Sequence, residues 1–460
     1  MVSIDLDLSD TSKALAVLGF YIVIIGLFTK PLKTKFYLSD SLIATIIGII
    51  VGPISANWIS PLDWNSNDEE TKNVLTYEFM RISIGIQVFF CGIDLPKFYF
   101  KKSWKSLCYL IGPTMTFTWL IVSLIIWSII PNLKVLDALV IGACIAPTDP
   151  VLANAIAKGP YAETNIPERV RNLLAAESGA NDGLGAPFIY LAIYLLRGHI
   201  GHVSTREAVS DWFVKVIVYQ VAFGVCVGIF LGFVARKILR LLNALELIDH
   251  ESILLYALGL PFLLLGVTGM LGMDDILVCF VAANSFNWDG YYATETHALT
   301  GKVPLQDVID NLLNSTLFIY IATIIPWSDF SNSSLGLSPS KLFLLTIIII
   351  FIKRLPMIAI SFKLIPDVQS IKDVFFVGWF GPIGVGAVYY SQVGLREVPV
   401  SETHLRSVLV PVVMFSVLVS IFVYAVSVPI LYFGSILKNR FLPKKTSLPS
   451  RYSSSIAATV

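Results

Sequence analysis

Two short stretches carry side chains able to bind small cations: Pro147-Thr148-Asp149-Pro150 and Glu177-Ser178-Gly179-Ala180-Asn181-Asp182-Gly183. Both lie inside apolar runs long enough to cross a bilayer, where a carboxylate is costly and points to function. Glu177, Ser178, Asn181 and Asp182 stand at i, i+1, i+4 and i+5, so at about 100° per residue they share one helical face. That face must look into protein or water. In the other stretch, Pro147 and Pro150 each remove a backbone donor, which leaves carbonyl oxygens near Ala146 and Thr148 without helical partners. With the Thr148 hydroxyl and the Asp149 carboxylate, these are hard oxygen ligands suited to an alkali cation. No soft ligand set is present for a tight transition-metal site. All five histidines (His199, His202, His250, His297, His404) fall in loops or at segment ends, so Asp and Glu must carry any protons. A buried carboxylate can hold either a proton or a cation, and competition between them gives exchange.

The elements that must position these residues are membrane helices. Hydrophobic residues make up 55% of the 460 and charged residues 14%, with mean hydropathy +0.75, the composition of a polytopic membrane protein. Thirteen segments of about 20 mostly apolar residues are expected. They lie near 14–30, 40–59, 77–95, 107–130, 135–157, 172–196, 210–235, 252–272, 274–290, 304–327, 341–362, 373–394 and 406–434. Segment five is interrupted by Pro147 and Pro150, and segment twelve by Gly378-Trp379-Phe380-Gly381-Pro382-Ile383-Gly384. If 14–196 and 252–434 are two six-helix units joined by a linker helix at 210–235, each interruption falls on the fifth helix of its unit. Paired breaks at corresponding positions point to an all-α fold of two inverted repeats, with its site at mid-membrane.

Loop charges orient the chain. The tail 435–460 is basic, and placing it in the cytoplasm puts 21 Lys and Arg on the cytoplasmic side against 9 outside. The N-terminal 1–13, with Asp5, Asp7 and Asp10, is then external and lacks the positive region of a cleaved signal peptide. No basic tract with interleaved aromatics is present, which argues against nucleic acid as a partner. The five cysteines, Cys91, Cys108, Cys144, Cys226 and Cys279, lie in apolar runs and read as small buried hydrophobes.

Further charges fall within spans. Lys353 and Arg354 interrupt segment eleven, where a central cation costs about 2.5–3.5 kcal/mol on the insertion scale. Arg354 therefore needs an acid, for which Glu177 is the candidate. Asp274-Asp275 and Asp307, Asp310 lie at expected helix starts, where capping explains them as well as ion handling does.

Thr148-Asp149-Pro150-Val151-Leu152, followed by Leu174-Ala175-Ala176 and the Glu177–Gly183 stretch, resembles the fungal plasma-membrane Na+(K+)/H+ antiporters, a branch of the cation–proton antiporters. Gly272-Met273-Asp274-Asp275-Ile276-Leu277, Ile324-Ile325-Pro326-Trp327 and the run Phe376–Gly386 add to the likeness. The resemblance implies Asp182 as the essential ion and proton carrier, with Asp149, Thr148, Ser178 and Glu177 around the ion. It implies electroneutral one-for-one exchange from Asn181, which stands where electrogenic relatives have a second Asp. It also implies a core of broken helices moving elevator-like against a dimerising scaffold, hence a homodimer surrounded by lipid. Roles in salt tolerance and pH homeostasis follow, with no cofactor beyond the transported ions. The chain departs from the family pattern at Trp379, where fungal members often have histidine, and at Pro147, which adds a second proline.

The function expected is exchange of cytoplasmic Na+, with Li+ and K+ as further cations, for external H+ by alternating access. Two other classes fit the sequence less well. An intramembrane aspartyl protease could use two Asp on adjacent helices to activate water, but Asp182 is followed by Gly-Leu-Gly without a second Gly-x-Gly-Asp. A potassium pore would need a repeated carbonyl filter such as Thr-Val-Gly-Tyr-Gly, which the chain lacks.

Overall fold

The protein is described by a computed structural model covering residues 9–32, 39–65, 68–150, 152–153, 160–300 and 305–441. The described residues are helical throughout, with no strand among them. The helices that frame the site are α1 (Asp10–Phe28), α2 (Asp40–Val51), α3 (Glu69–Asp94), α4 (Tyr99–Ile129) and α5 (Val135–Ile145). Next come α6 (Glu168–Leu184), α7 (Ala186–Ile200), α8 (Thr205–Ala244), α9 (His250–Met270) and α10 (Asp275–Phe286). The chain continues through α11 (Tyr291–Thr300), α12 (Leu305–Thr323), α13 (Pro339–Ile352), α14 (Leu355–Ser361), α15 (Ile371–Trp379), α16 (Val385–Glu397) and α17 (Thr403–Phe441).

Each segment expected from the sequence overlaps a helix or an interrupted helix pair. By length and composition, 8 helical runs among the described residues can cross a membrane. Three further apolar helices, α2, α5 and α10, are shorter. Several loop charges used for orientation (Lys33, Lys35, Lys158, Lys302, Lys444, Lys445 and Arg451), together with Val151, lie outside the described residues.

Local sequence explains where the helices begin. Ser39, Asp68, Ser204 and Asp249 accept hydrogen bonds from backbone N–H groups in the first turns of α2, α3, α8 and its successor α9. Ser370 and Asp373 form a capping box at the start of α15. Arg169 of α6 also pairs with the Asp373 carboxylate and donates to the Asp367 carbonyl at 3.2 Å, so α6 and α15 are joined at their N-terminal ends.

Helices in a membrane are held by close packing more than by the hydrophobic effect. On α8, Gly224, Gly228 and Gly232 repeat at four-residue intervals and face Val278, Val281 and Ala282 of α10. A side chain at Gly232 would drive into the Ala282 carbonyl, so the two backbones touch only because Cβ is missing. The innermost elements are α5 and α16: every residue from Ala138 to Asp149 save the half-buried Leu139 is buried, and so is every residue from Gly381 to Gly394. By contrast, α1 and α8 are mostly exposed along their lengths.

The cysteine expectation needs one correction. Cys91, Cys144 and Cys279 are buried, whereas Cys108 and Cys226 are exposed on outward helix faces. An apolar run in a membrane helix has a lipid-facing side, so lying in such a run does not by itself bury a small side chain.

Candidate ion site

Both expected interruptions are present and they meet. Helix α5 closes with the Ala146 N–H on the Gly142 carbonyl at 2.9 Å and stops before Pro147, whose ring admits no further helical donor. The chain then runs to Asp149, whose side chain accepts from the Leu152 N–H at 3.1 Å and so starts the helix that Pro150 opens. Asp149's own N–H has no partner in its strand of chain and donates to the Pro382 carbonyl at 3.0 Å, inside the second interruption. There, Ile383 N–H donates to the Ser420 hydroxyl of α17 at 2.8 Å. One backbone N–H freed in each break, that of Asp149 and that of Ile383, thus finds its acceptor outside its own helix.

The glycines of the second break make room for acids. A Cβ on Gly384 would occupy the place of the Asp149 carboxylate, and one on Gly386 that of the Asp182 carboxylate. A Cβ on Gly381 would lie 2.8 Å from Arg354 Cδ and 3.2 Å from Thr148 Cγ2. Asp149, Asp182, Thr148 and Arg354 therefore converge on one six-residue run, Gly381–Gly386, through missing side chains.

Around the crossing the polar groups of α6 divide. Asn181 donates through Nδ2 to the Thr148 hydroxyl at 2.8 Å, and Thr148 and Ser178 share a hydrogen bond between hydroxyls at 3.2 Å. Glu177 receives both terminal nitrogens of Arg354 in a two-pronged pair, and the Arg354 Nε donates to the Val377 carbonyl at 2.7 Å. The partner expected for Arg354 is thus present. Glu177, expected among the groups around the ion, has both oxygens engaged by that pair. Asp182 is the opposite case: it is 1% exposed, and neither carboxylate oxygen has a hydrogen-bond partner among the described residues.

Arg354 itself departs from helical geometry at φ −136, in the break between α13 and α14. Lys353 beside it is buried, its ammonium without a hydrogen-bond partner among the described residues, and it borders a small cavity with Thr114, Thr118, Asn181 and Glu177.

Asp274 and Asp275 are engaged elsewhere. Asp274 caps α10 by accepting from the Leu277 N–H at 3.0 Å, and Asp275 pairs with Arg81 of α3 at 2.5 Å. Trp379 sits among Phe351, Phe375 and Tyr424 and donates to the Ser427 hydroxyl at 3.2 Å, an aromatic packing role at the end of α15. The sequence reading missed Gly384 and Gly386 as individual site residues, although they lie in the run that marked the break. It also missed Tyr390, whose hydroxyl reaches the Asp182 carbonyl at 2.5 Å.

Residues 19–433 match the transmembrane sodium/hydrogen exchanger family. The chain is 36% identical over 451 residues to Na(+)/H(+) antiporter 2 of Zygosaccharomyces rouxii, covering 94% of this chain and 54% of that protein. It is 38% identical over 457 residues to the Na(+)/H(+) antiporter of Saccharomyces cerevisiae, covering 95% and 45% respectively. With the Na(+)/H(+) antiporter of Schizosaccharomyces pombe it shares 33% identity over 455 residues, covering 96% of this chain and 94% of that one. The chain spans about half the length of the first two relatives. In fold it is similar to the sodium proton antiporter MjNhaP1 from Methanocaldococcus jannaschii, with a TM-score of 0.67, 18% identity and coverage of 92% of this chain and 99% of that one.

Proposed function

The chain belongs to the sodium/hydrogen exchanger family, and on that premise we propose that it exchanges cytoplasmic Na+ for external H+ at Asp182, Asp149, Thr148 and Ser178. Li+ and K+ are further cations of the same site. The observation that carries the reading is the Asp182 carboxylate, buried and without a hydrogen-bond partner among the described residues, at the crossing of two interrupted helices. Burying an ionised carboxylate with no compensating group is costly. A proton or a monovalent cation each removes that cost, and only one of them fits at a time.

The neighbouring residues supply the rest. Hydroxyl oxygens of Thr148 and Ser178, with carbonyls freed near Ala146 and Thr148, offer neutral ligands to a cation held by Asp182 and Asp149. Pro147 and Pro150 keep those carbonyls out of helical bonds. Asn181 stays neutral and orients Thr148, so one carrier charge is balanced by one cation or one proton, and exchange is electroneutral and one-for-one. Glu177 and Arg354 form a pair with no net charge that anchors α6 to the α13–α14 break.

The wider reading is alternating access with an elevator-like motion of the broken-helix core against a dimerising scaffold. It places the protein in the plasma membrane, N-terminus outside and C-terminus in the cytoplasm, serving salt tolerance and pH homeostasis. The loop-charge bias and the paired interruptions support it. The test is cation-driven proton movement in proteoliposomes, with each alkali cation in turn. Asp182→Asn is expected to reduce it to the protein-free background while the purified protein elutes and melts as wild type does. Retained exchange would remove the assignment.

A further inference from the structure

A carboxylate with no hydrogen bond of its own is held only by its backbone and by what presses on it. For Asp182 that backbone is unusual. Helix α6 ends at Leu184, and α7 begins at Ala186 with Pro187 in its first turn. Pro187 has no N–H, so the Gly183 carbonyl four residues earlier lacks its ordinary i+4 donor and has only the Gly185 N–H of the tight turn directed at it. In the interior of a membrane protein no bulk water makes up for the lost donor, and a poorly satisfied carbonyl there is costly.

The missing donor comes from α16. The Tyr390 hydroxyl lies 2.5 Å from the Asp182 carbonyl oxygen and 3.2 Å from that of Gly183. Its ring is buried against Gly185, where an added Cβ would come within 2.6 Å of it. One turn before Tyr390, Gly386 abuts the Asp182 carboxylate. Helix α16 therefore contacts the carrier residue twice, at the side chain through an absent Cβ and at the backbone through a phenol.

We propose that Tyr390 is the positioning residue for Asp182: by supplying the donor that Pro187 withholds, it fixes where the carrier carboxylate stands in the crossing and so sets cation affinity. This rests on the reading of Asp182 as the carrier. The role differs from plain support of the helix join, because fixing the carboxylate alters how well a cation is held, whereas support alone alters how much protein is folded.

The experiment measures Na+-dependent exchange in proteoliposomes for wild type, Tyr390→Phe, Pro187→Ala and the double variant, with Asp182→Asn alongside, each normalised to folded protein. Losing one hydrogen bond predicts a rise of about three- to tenfold in KM for Na+ in Tyr390→Phe, with the maximal rate little changed. Pro187→Ala restores a backbone donor for Gly183 while the shorter Tyr390 bond to the Asp182 carbonyl stays, so in that background Tyr390→Phe should still raise KM, but by less than it does in wild type. An unchanged KM in Tyr390→Phe, or an equal rise in both backgrounds, overturns the inference even though Asp182→Asn abolishes exchange. Persisting exchange in Asp182→Asn instead overturns the carrier reading on which the inference stands.

Discussion

Glu177 and Asp182 are two carboxylates on one face of α6, five residues apart and each 1% exposed, yet they differ in every contact. Both oxygens of Glu177 are taken by Arg354. Neither oxygen of Asp182 has a hydrogen-bond partner among the described residues, and the bare Cα of Gly386 abuts it. Burial is therefore not what separates the paired acid from the proposed carrier. A paired acid gains little from a proton or a cation, whereas an unpaired one must acquire one of them.

The comparison is broken most severely at the paired acid. Removing one member of a buried ion pair strands the other charge at a cost of about 3–5 kcal/mol. Arg354→Met and Glu177→Gln should each lower the thermal stability of detergent-purified protein sharply, and the double variant should recover part of it. Asp182→Asn should do neither. Equal melting losses for Asp182→Asn and Glu177→Gln would erase the distinction.

A second change acts on the unpaired acid without touching its charge. Gly386→Ala places a methyl where the Asp182 carboxylate lies, and overpacking of this kind costs about 1–3 kcal/mol. Cation affinity in proteoliposomes should fall, most visibly for K+, the largest of the three proposed cations. An affinity equal to wild type would mean that the carboxylate moves freely away from α16.

The smallest effect concerns charge count. Asn181→Asp adds a second acid beside the proposed carrier Asp182, and a charge crossing 100 mV is worth about 2.3 kcal/mol at most. Initial rates should then respond to an imposed membrane potential, while wild-type rates do not. A potential-dependent wild type would contradict electroneutral exchange.

Much of this contrast is legible in the sequence because it follows from costs that act locally. Pro147 and Pro150 cannot continue a helix, the run from Gly378 to Gly386 invites a second break, and Arg354 inside an apolar segment demands an acid. What could not be read is which surfaces meet. Asp149 N–H finding the Pro382 carbonyl, and Tyr390 finding the carbonyls at 182 and 183, join positions more than 200 residues apart. The one sequence trace of the latter is Pro187, which leaves a carbonyl without its ordinary donor and does not say who supplies another. The capping role of Asp274 needed only local pattern, whereas the pairing of Asp275 with Arg81 needed the packing of α3 against α10. Glu177 shows the limit of spacing: sharing a face with Asp182 suggested a shared task, and the position of Arg354 divides them.

The central claim is that one carboxylate holds a proton or a cation but not both. Its most direct test is proton release from purified protein in weakly buffered detergent on addition of Na+. The account predicts release that saturates with Na+ at about one proton per protein chain, diminishes as pH rises and the proton is already lost, and vanishes in Asp182→Asn while Glu177–Arg354 stays intact. Saturable release of the same size from Asp182→Asn would contradict it.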